Sequence, residues 1–149
     1  MRVKQIMNRH VIHCSTATPV PALAAMMKQH DVGLIPLVYE KTMLLAGVVT
    51  DRDLCLRVLA SKDKPEKLLA RQCMSSGVLA CKPDDTVDSV LHKMAEHQLR
   101  RLPVLENGLL AGMITLGDII RGSAASQARI MATLRRIYVP PAAHKIKAA

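Results

Sequence analysis

Two short segments carry residue types at a spacing from which chemistry is to be expected. Gly47-Val-Val-Thr50-Asp-Arg-Asp53 and Gly112-Met-Ile-Thr115-Leu-Gly-Asp118 share one grammar: a glycine, two apolar residues, a threonine and, three residues on, an aspartate. An apolar run leads into each, so each threonine falls where a strand passes into a helix. One reading is a capping box, in which the threonine caps the helix and the acid reaches back to the backbone. The other is a binding turn. Asp is shorter than the Glu or Gln that usually closes the box, and the glycine admits a close neighbour against the strand. The helix start offers amide N–H groups and the positive end of a dipole to a phosphate. A carboxylate beside it is suited to the hydroxyls of a ribose. Hydroxyl, carboxylate and amides together point to a sugar phosphate, with capping as the alternative.

Catalytic sets do not compete with these turns. No Walker loop, G-x-G-x-x-G or nucleophile elbow is present, and the two aspartates fall in separate segments rather than in one acid–base dyad. The six histidines show no H-x-x-x-H or H-E-x-x-H spacing. Cys14, Cys55, Cys73 and Cys81 form no C-x-x-C pair and lie in apolar stretches, so they read as buried free thiols. The expectation is a protein that is not an enzyme, with no catalytic residue and no metal site.

The elements that must position the two turns are written twice. At an offset of 67 residues, Met7, Val11, Cys14, Val20, Met27, His30 and Pro36 fall on Met74, Val78, Cys81, Val87, Met94, His97 and Pro103. After a two-residue adjustment near Glu40 to Thr42, Leu44, Leu45, Ala46, Gly47, Thr50 and Asp53 fall on Leu109, Leu110, Ala111, Gly112, Thr115 and Asp118. Each copy begins with a short apolar run, Val11 to Cys14 or Val78 to Cys81, expected as a strand. A helix start follows, at Thr18 before Pro19 in the first copy and at Asp85, three residues before Asp88, in the second. Val20, Leu23 and Met27, and Val87, Val90, Leu91 and Met94, then recur at helical spacing.

Two apolar runs around a turn come next, Leu34 to Tyr39 with Leu44 to Val49, and Leu102 to Leu105 with Leu109 to Ile114. The second turn is Asn107-Gly108, a strong hairpin signal. Short helices close the copies, from about Asp51 to Ala60 and from about Leu116 to Arg121. His30 and His97 fall at helix ends, where a positive charge is stabilising. The pattern is β-α-β-β-α, twice, and one copy is too small to bury its apolar face alone.

Composition sets the outer limits. The 149 residues are 50% hydrophobic and 22% charged, enough for a core. Tyr39 and Tyr138 are the only residues of the Phe, Trp and Tyr class, so stacking platforms for single-stranded nucleic acid are missing. The longest apolar stretch, Val20 to Met27, is interrupted by Pro21 and falls short of the roughly 20 residues of a membrane span. No apolar stretch follows the basic N-terminus, which argues against a secretory signal and for a cytoplasmic protein. The net charge of +9 is uneven: from Arg121 onward there are six Lys or Arg and no acid. That tail suits an anionic partner, or serves solubility.

The repeats, the apolar-Pro strands and the turns together resemble a tandem pair of cystathionine-β-synthase (CBS) domains. The resemblance spans about residues 3–122 and rests on His30-Asp-Val-Gly-Leu-Ile-Pro-Leu, Arg100-Arg-Leu-Pro-Val and Gly47-Val-Val-Thr-Asp-Arg-Asp. It implies an α/β (α+β) fold, with two β-α-β-β-α repeats packed pseudo-twofold and a C-terminal helix. The expected divisions are repeat one at 1–60, a linker at 61–66, repeat two at 67–122 and a basic helix and tail at 123–149.

The resemblance further implies regulatory binding of adenosine-containing ligands: AMP, ADP, ATP, NAD or S-adenosylmethionine. No cofactor is obligatory. Asp53 and Asp118 would hold a ribose diol, and Thr50 and Thr115 the ribose or α-phosphate. Adenine would lie between the first strand (Ile12 and His13, or Leu79 and Ala80) and the Pro strand (Ile35 and Pro36, or Leu102 and Pro103). Arg52, Arg100 and Arg101 are the phosphate candidates. The family often has Thr where this chain has His13 and Ala80, a departure at the adenine edge.

The resemblance also implies a homodimer. Residues 123–138 are expected as a helix with Ile130, Leu134, Ile137 and Tyr138 on one stripe, ended by Val139-Pro140-Pro141, with 142–149 unstructured. That stripe packs on the body or across a dimer, or serves a partner. Two functions follow: a nucleotide sensor acting through dimer or partner contacts, and a ligand-independent module using its basic tail to dock a protein or, as the weaker case, nucleic acid.

Overall fold

Continuous apolar runs before each Thr-x-x-Asp turn produce the sheets of this computed structural model, which describes residues 1–122 and 127–138. Strand β1 (Cys14–Ser15) pairs parallel with β2 (Leu34–Val38), and β2 pairs antiparallel with β3 (Leu45–Thr50). The register sets Leu34 opposite Thr50 and Leu37 opposite Gly47. The first strand is shorter and later than the expected Val11–Cys14. In the second copy it shrinks to one bridge, Cys81 to Val104, the repeat equivalent of Cys14 to Leu37. Pro36 and Pro103 remove a ladder donor in the strands concerned, which agrees with the meagre pairing there. Strands β4 (Arg101–Glu106) and β5 (Leu109–Thr115) make the second sheet. Asn107 and Gly108 join them with φ of 53° and 82°, the left-handed pair that a tight hairpin requires.

The helices keep the expected order with local corrections. Helix α1 (Val20–His30) buries Val20, Leu23 and Met27 and stops at Asp31, which is left-handed with φ 50°. The next, α2 (Asp51–Asp53), runs on as a π-helical segment, Leu54–Leu59. Helix α3 (Ala70–Cys73) is one turn, and α4 (Val87–Glu96) buries Val87, Val90, Leu91, Met94 and Ala95. The α4 cap is Thr86, whose Oγ1 accepts from Ser89 N–H at 3.1 Å, and not Asp85. Asp85 instead accepts from Lys82 N–H and from Lys93 Nζ. Partial burial opposes its charge, but those donors hold its carboxyl below the usual range.

Helix α5 (Leu116–Gly122) follows β5, and α6 (Gln127–Tyr138) packs on α4. Thr133 is the buried residue of that contact, Ile130, Leu134 and Ile137 are half-buried, and Tyr138 is exposed. The stripe therefore docks on the chain's own α4 without Tyr138. The expected stop at Val139-Pro140-Pro141 and the unstructured 142–149 lie outside the described residues. Cys14, Cys73 and Cys81 are buried free thiols, but Cys55 is exposed on the π-helical segment, contrary to expectation.

The chain forms two compact units that do not coincide with the sequence copies: Met1–Arg9 with Ala80–Val104 and Gly112–Ala149, and His10–Leu79 with Leu105–Ala111. In the first unit, Val3 N–H donates to the Asp85 carbonyl and Asn8 bridges Met113, so the N-terminal leader is held by the second repeat. In the second unit, Ser75 exchanges two backbone bonds with Val48, so the leader of the second repeat is held by the first. The core of this unit centres on Leu23, Ile35, Leu37, Val49 and Val58, with Ala70 and Cys73 completing it. Each fully buried aliphatic side chain there contributes about 1.5–3 kcal/mol.

Candidate functional site

The two turns form the same set of bonds. Thr50 N–H donates to Asp53 Oδ2 at 2.9 Å, the Thr50 hydroxyl donates to the same oxygen at 2.7 Å, and Asp53 N–H returns to Thr50 Oγ1 at 3.1 Å. At the second turn the corresponding distances from Thr115 and Asp118 are 2.8, 2.6 and 3.1 Å. The capping box is thus formed in both copies, and Asp closes it because one oxygen serves the backbone and the hydroxyl together. The other oxygen faces an arginine. Asp53 Oδ1 lies 3.3 Å from Arg57 Nε, and Asp118 Oδ1 lies 2.6 Å from Arg121 Nη2. A carboxylate has about four lone-pair positions, so capping through Oδ2 leaves acceptor capacity at Oδ1.

The amides are less open than expected. Asp51 N–H donates to the Gly33 carbonyl, Arg52 N–H to Asp51 Oδ1 and Asp53 N–H to Thr50 Oγ1. All three leading amides of α2 are therefore spent within the protein, which corrects the reading of this helix start as a free phosphate cradle. At the second turn Leu116 N–H donates to the Arg100 carbonyl at 2.8 Å. The glycines also have another explanation. A Cβ on Gly47 would sit 2.6 Å from the Ser75 carbonyl oxygen, and one on Gly112 would sit 2.8 Å from that of Asn8. What approaches each strand is the chain's own leader segment.

The remaining sequence candidates distribute unevenly. Arg52 and Arg100 are exposed and Arg101 is half-buried. The Arg100 Nη1 donates to the Tyr138 hydroxyl at 3.3 Å. Ile35 and Leu102 are wholly buried, and Pro36 and Pro103, on the opposite faces of the same strands, are buried too. Ile12, Leu79 and Ala80 are half-buried. His13 is exposed, and its Nδ1 lies 3.0 Å from the Val11 carbonyl. Two arginines absent from the sequence candidates, Arg57 and Arg121, stand on the two aspartates. Their positions four and three residues after the acids were the available signal. Arg57 is anchored further by the carbonyls of Cys73 and Met74 and by Ser75 Oγ, whereas Arg121 is a surface side chain. No group of three or more His, Cys, Asp or Glu suited to a metal occurs among the described residues. Nor is any described helix long and apolar enough to cross a membrane.

Comparison with known proteins gives the family. The family model described as the CBS domain matches residues 3–60 and again 70–125. The protein YlbB of Bacillus subtilis (strain 168) is 42% identical over 118 residues, which are 79% of each chain. The crystal structure of Hypoxic Response Protein I with two coordinated zinc ions is 29% identical with a TM-score of 0.76, covering 83% of this chain and 99% of that one. The CBS domain pair of protein MJ0100, in complex with 5′-methylthioadenosine and S-adenosyl-L-methionine, is 25% identical with a TM-score of 0.71, covering 81% of this chain and 94% of that one.

Proposed function

This chain belongs to the CBS-domain family, and from that premise we propose that it is a non-catalytic regulatory module that binds an adenosine-containing ligand. AMP, ADP, ATP, NAD and S-adenosylmethionine form the ligand class. The observation that carries the reading is the duplicated turn, in which each aspartate commits one oxygen to the cap and turns the other to an arginine. The ligands of the MJ0100 pair, both built on adenosine, support the class.

In this reading Asp53 and Asp118 accept from the ribose diol through Oδ1, displacing an arginine. Thr50 and Thr115 take the ribose or α-phosphate, and Arg52, Arg100 and Arg101 meet further phosphates. Adenine lies by Ile12 and His13, or Leu79 and Ala80, and reaches the strands of Pro36 and Pro103 through their backbone. The module works in the cytoplasm as a homodimer and passes occupancy to a protein partner.

Isothermal titration with the five ligands tests this, on wild type and on Asp53→Ala and Asp118→Ala. Saturable binding that is lost at one or both aspartates supports the reading. A folded protein that gives no heat with any of them refutes it. The second reading, a ligand-independent docking module, draws on the acid-free sequence after residue 120. It requires partner capture to vanish when 123–149 are deleted and to survive both aspartate changes.

A further inference from the structure

Arg100 is joined to the second turn through its backbone and to the C-terminal helix through its side chain. Its carbonyl accepts from Leu116 N–H, the residue after Thr115, at 2.8 Å, which ties its position to the Thr115–Asp118 cap. Its guanidinium is occupied by Tyr138, the last residue of α6. Nη1 lies 3.3 Å from the phenol oxygen, and Cζ lies 5.8 Å from the ring centroid. Two residues earlier, Gln98 Nε2 donates to the Arg136 carbonyl at 3.4 Å. The final turn of α6 is thus held by two residues of the segment that leads into β4.

These holding contacts are long and exposed, whereas the body of α6 is held separately on α4. Thr133 is buried there, and Asp88 pairs with Arg129 at the near end of the helix. The last turn can therefore let go without undocking the helix.

A guanidinium presents five N–H donors in a planar fork that matches a phosphate in bidentate fashion. A charge-assisted pair of that kind is stronger than one long bond to a neutral phenol, even with a cation–π contact added. We infer that the Tyr138–Arg100 contact is an autoinhibitory clasp. It withholds Arg100 from a phosphate-bearing ligand at the Thr115–Asp118 turn, and capture of Arg100 by the ligand frees the last turn of α6. The inference rests on the nucleotide reading above and adds a route by which occupancy leaves the site. Linkage makes the route reciprocal: whatever draws the end of α6 away from Arg100 tightens the ligand by the same factor.

The test uses the full chain with ATP and adenosine as paired probes, since only ATP has phosphates to offer Arg100. Calorimetry compares wild type with Tyr138→Ala, Tyr138→Phe and Asp118→Ala. Tyr138→Ala is expected to bind ATP about three- to tenfold tighter, the equivalent of one exposed bond and a surface cation–π contact, with adenosine unchanged. Tyr138→Phe, which keeps the ring, is expected to fall between. Hydrogen exchange in wild type should quicken at Leu134–Tyr138 with ATP and stay unchanged with adenosine. Binding that is lost in Asp118→Ala but keeps its ATP-to-adenosine ratio in Tyr138→Ala overturns the clasp and leaves the nucleotide reading in place. Failure of both probes to bind wild type and both Tyr138 variants removes that reading, and the clasp with it.

Discussion

Replacing Asp118 by Ala separates what the turn does for the fold from what it does for a ligand. The change removes the acceptor of the Thr115 N–H at 2.8 Å and of its hydroxyl at 2.6 Å. The aspartate side chain is only 17% exposed, so water replaces it incompletely. Loss of a helix N-cap costs about 0.5–2 kcal/mol, and a partly buried donor left without an acceptor costs about 1–3 kcal/mol. These overlap, because they concern the same bonds, and we expect a loss of about 2 kcal/mol. The pair with Arg121 adds little. Arg121 is 73% exposed, and such pairs contribute about 0–1 kcal/mol. Arg121→Ala should therefore cost less than about 0.5 kcal/mol, and Asp118→Asn, which keeps an acceptor, about 1 kcal/mol.

Urea unfolding followed by circular dichroism reads these differences. With a slope of about 1–3 kcal/mol/M, Asp118→Ala should move the midpoint by about 1 M. A midpoint indistinguishable from wild type would show that the carboxylate does not hold the turn. An Arg121→Ala loss equal to that of Asp118→Ala would place the stabilisation in the ion pair instead. A deficit of about 2 kcal/mol within the usual total of about 5–15 kcal/mol leaves the protein folded at 25 °C, so ligand binding by the variant remains interpretable.

Three further outcomes are expected. Gly47→Ala should cost about 2–4 kcal/mol, because its Cβ would lie 2.6 Å from the Ser75 carbonyl oxygen and break the Val48–Ser75 bridge. Gly77→Ala has φ +68° but nothing within 4 Å and should cost only about 1–2 kcal/mol, so the reverse order in thermal melts would contradict the leader packing. Alkylation of the native protein near neutral pH should modify Cys55 alone. Burial protects Cys14, Cys73 and Cys81 and raises their thiol pKa values, that of Cys81 to about 11, and a second adduct in the intact mass before unfolding would count against this. Asp85 has a depressed carboxyl, so its contribution to stability is complete above the unfolded value of about 3.9 and is lost as pH falls through the folded value. Asp85→Asn should lower stability at neutral pH and flatten the acid limb of the stability–pH curve, and an unchanged acid limb would rule this out.

The duplication, the hairpin at Asn107-Gly108 and the bonding capacity of the two turns were legible because each depends on residues close in sequence. A glycine before an apolar pair, a threonine and an aspartate fixes a local geometry that needs no distant partner. The close approach at Gly47 and Gly112 was legible as well, but its occupant was not. Met7 and Met74 are related by the repeat, yet Met7 Sδ lies 3.1 Å from a Cβ placed on Gly112, and Met74 Sδ lies 3.1 Å from one on Gly47. Periodicity gives the order of segments without saying which copy receives each leader. The same limit applies to α6. Its stripe was visible, but Thr133, a polar residue buried against α4 with its hydroxyl bonded to the Arg129 carbonyl, has no signal in an apolar pattern.

In the proposed reading, capping and ligand binding at these turns are complementary uses of one carboxylate. Oδ2 belongs to the fold: it fixes the threonine and the entry of the helix in both copies at nearly the same distances. Oδ1 meets an arginine in both copies, Arg57 four residues on in the first and Arg121 three residues on in the second. Around it the two copies carry different side chains. In the first copy Gly33 leaves room for the Asp51 carboxylate, whose Oδ2 would lie 2.9 Å from a Cβ there, and the second copy has Arg100 and Leu116 at these places. In the second copy Gly117 leaves room for Arg121, whose Nη1 would lie 3.2 Å from a Cβ, and the first copy has Arg52 there. Asp51 and Arg52 flank the first turn, where Arg57 pairs with Asp53, whereas Leu116 and Gly117 stand at those two places in the second, where Arg121 pairs with Asp118. In the reading proposed above, a polyanionic ligand is repelled by Asp51 at the first turn and meets the neutral Leu116 at the equivalent place of the second, the turn whose arginine the C-terminal helix holds.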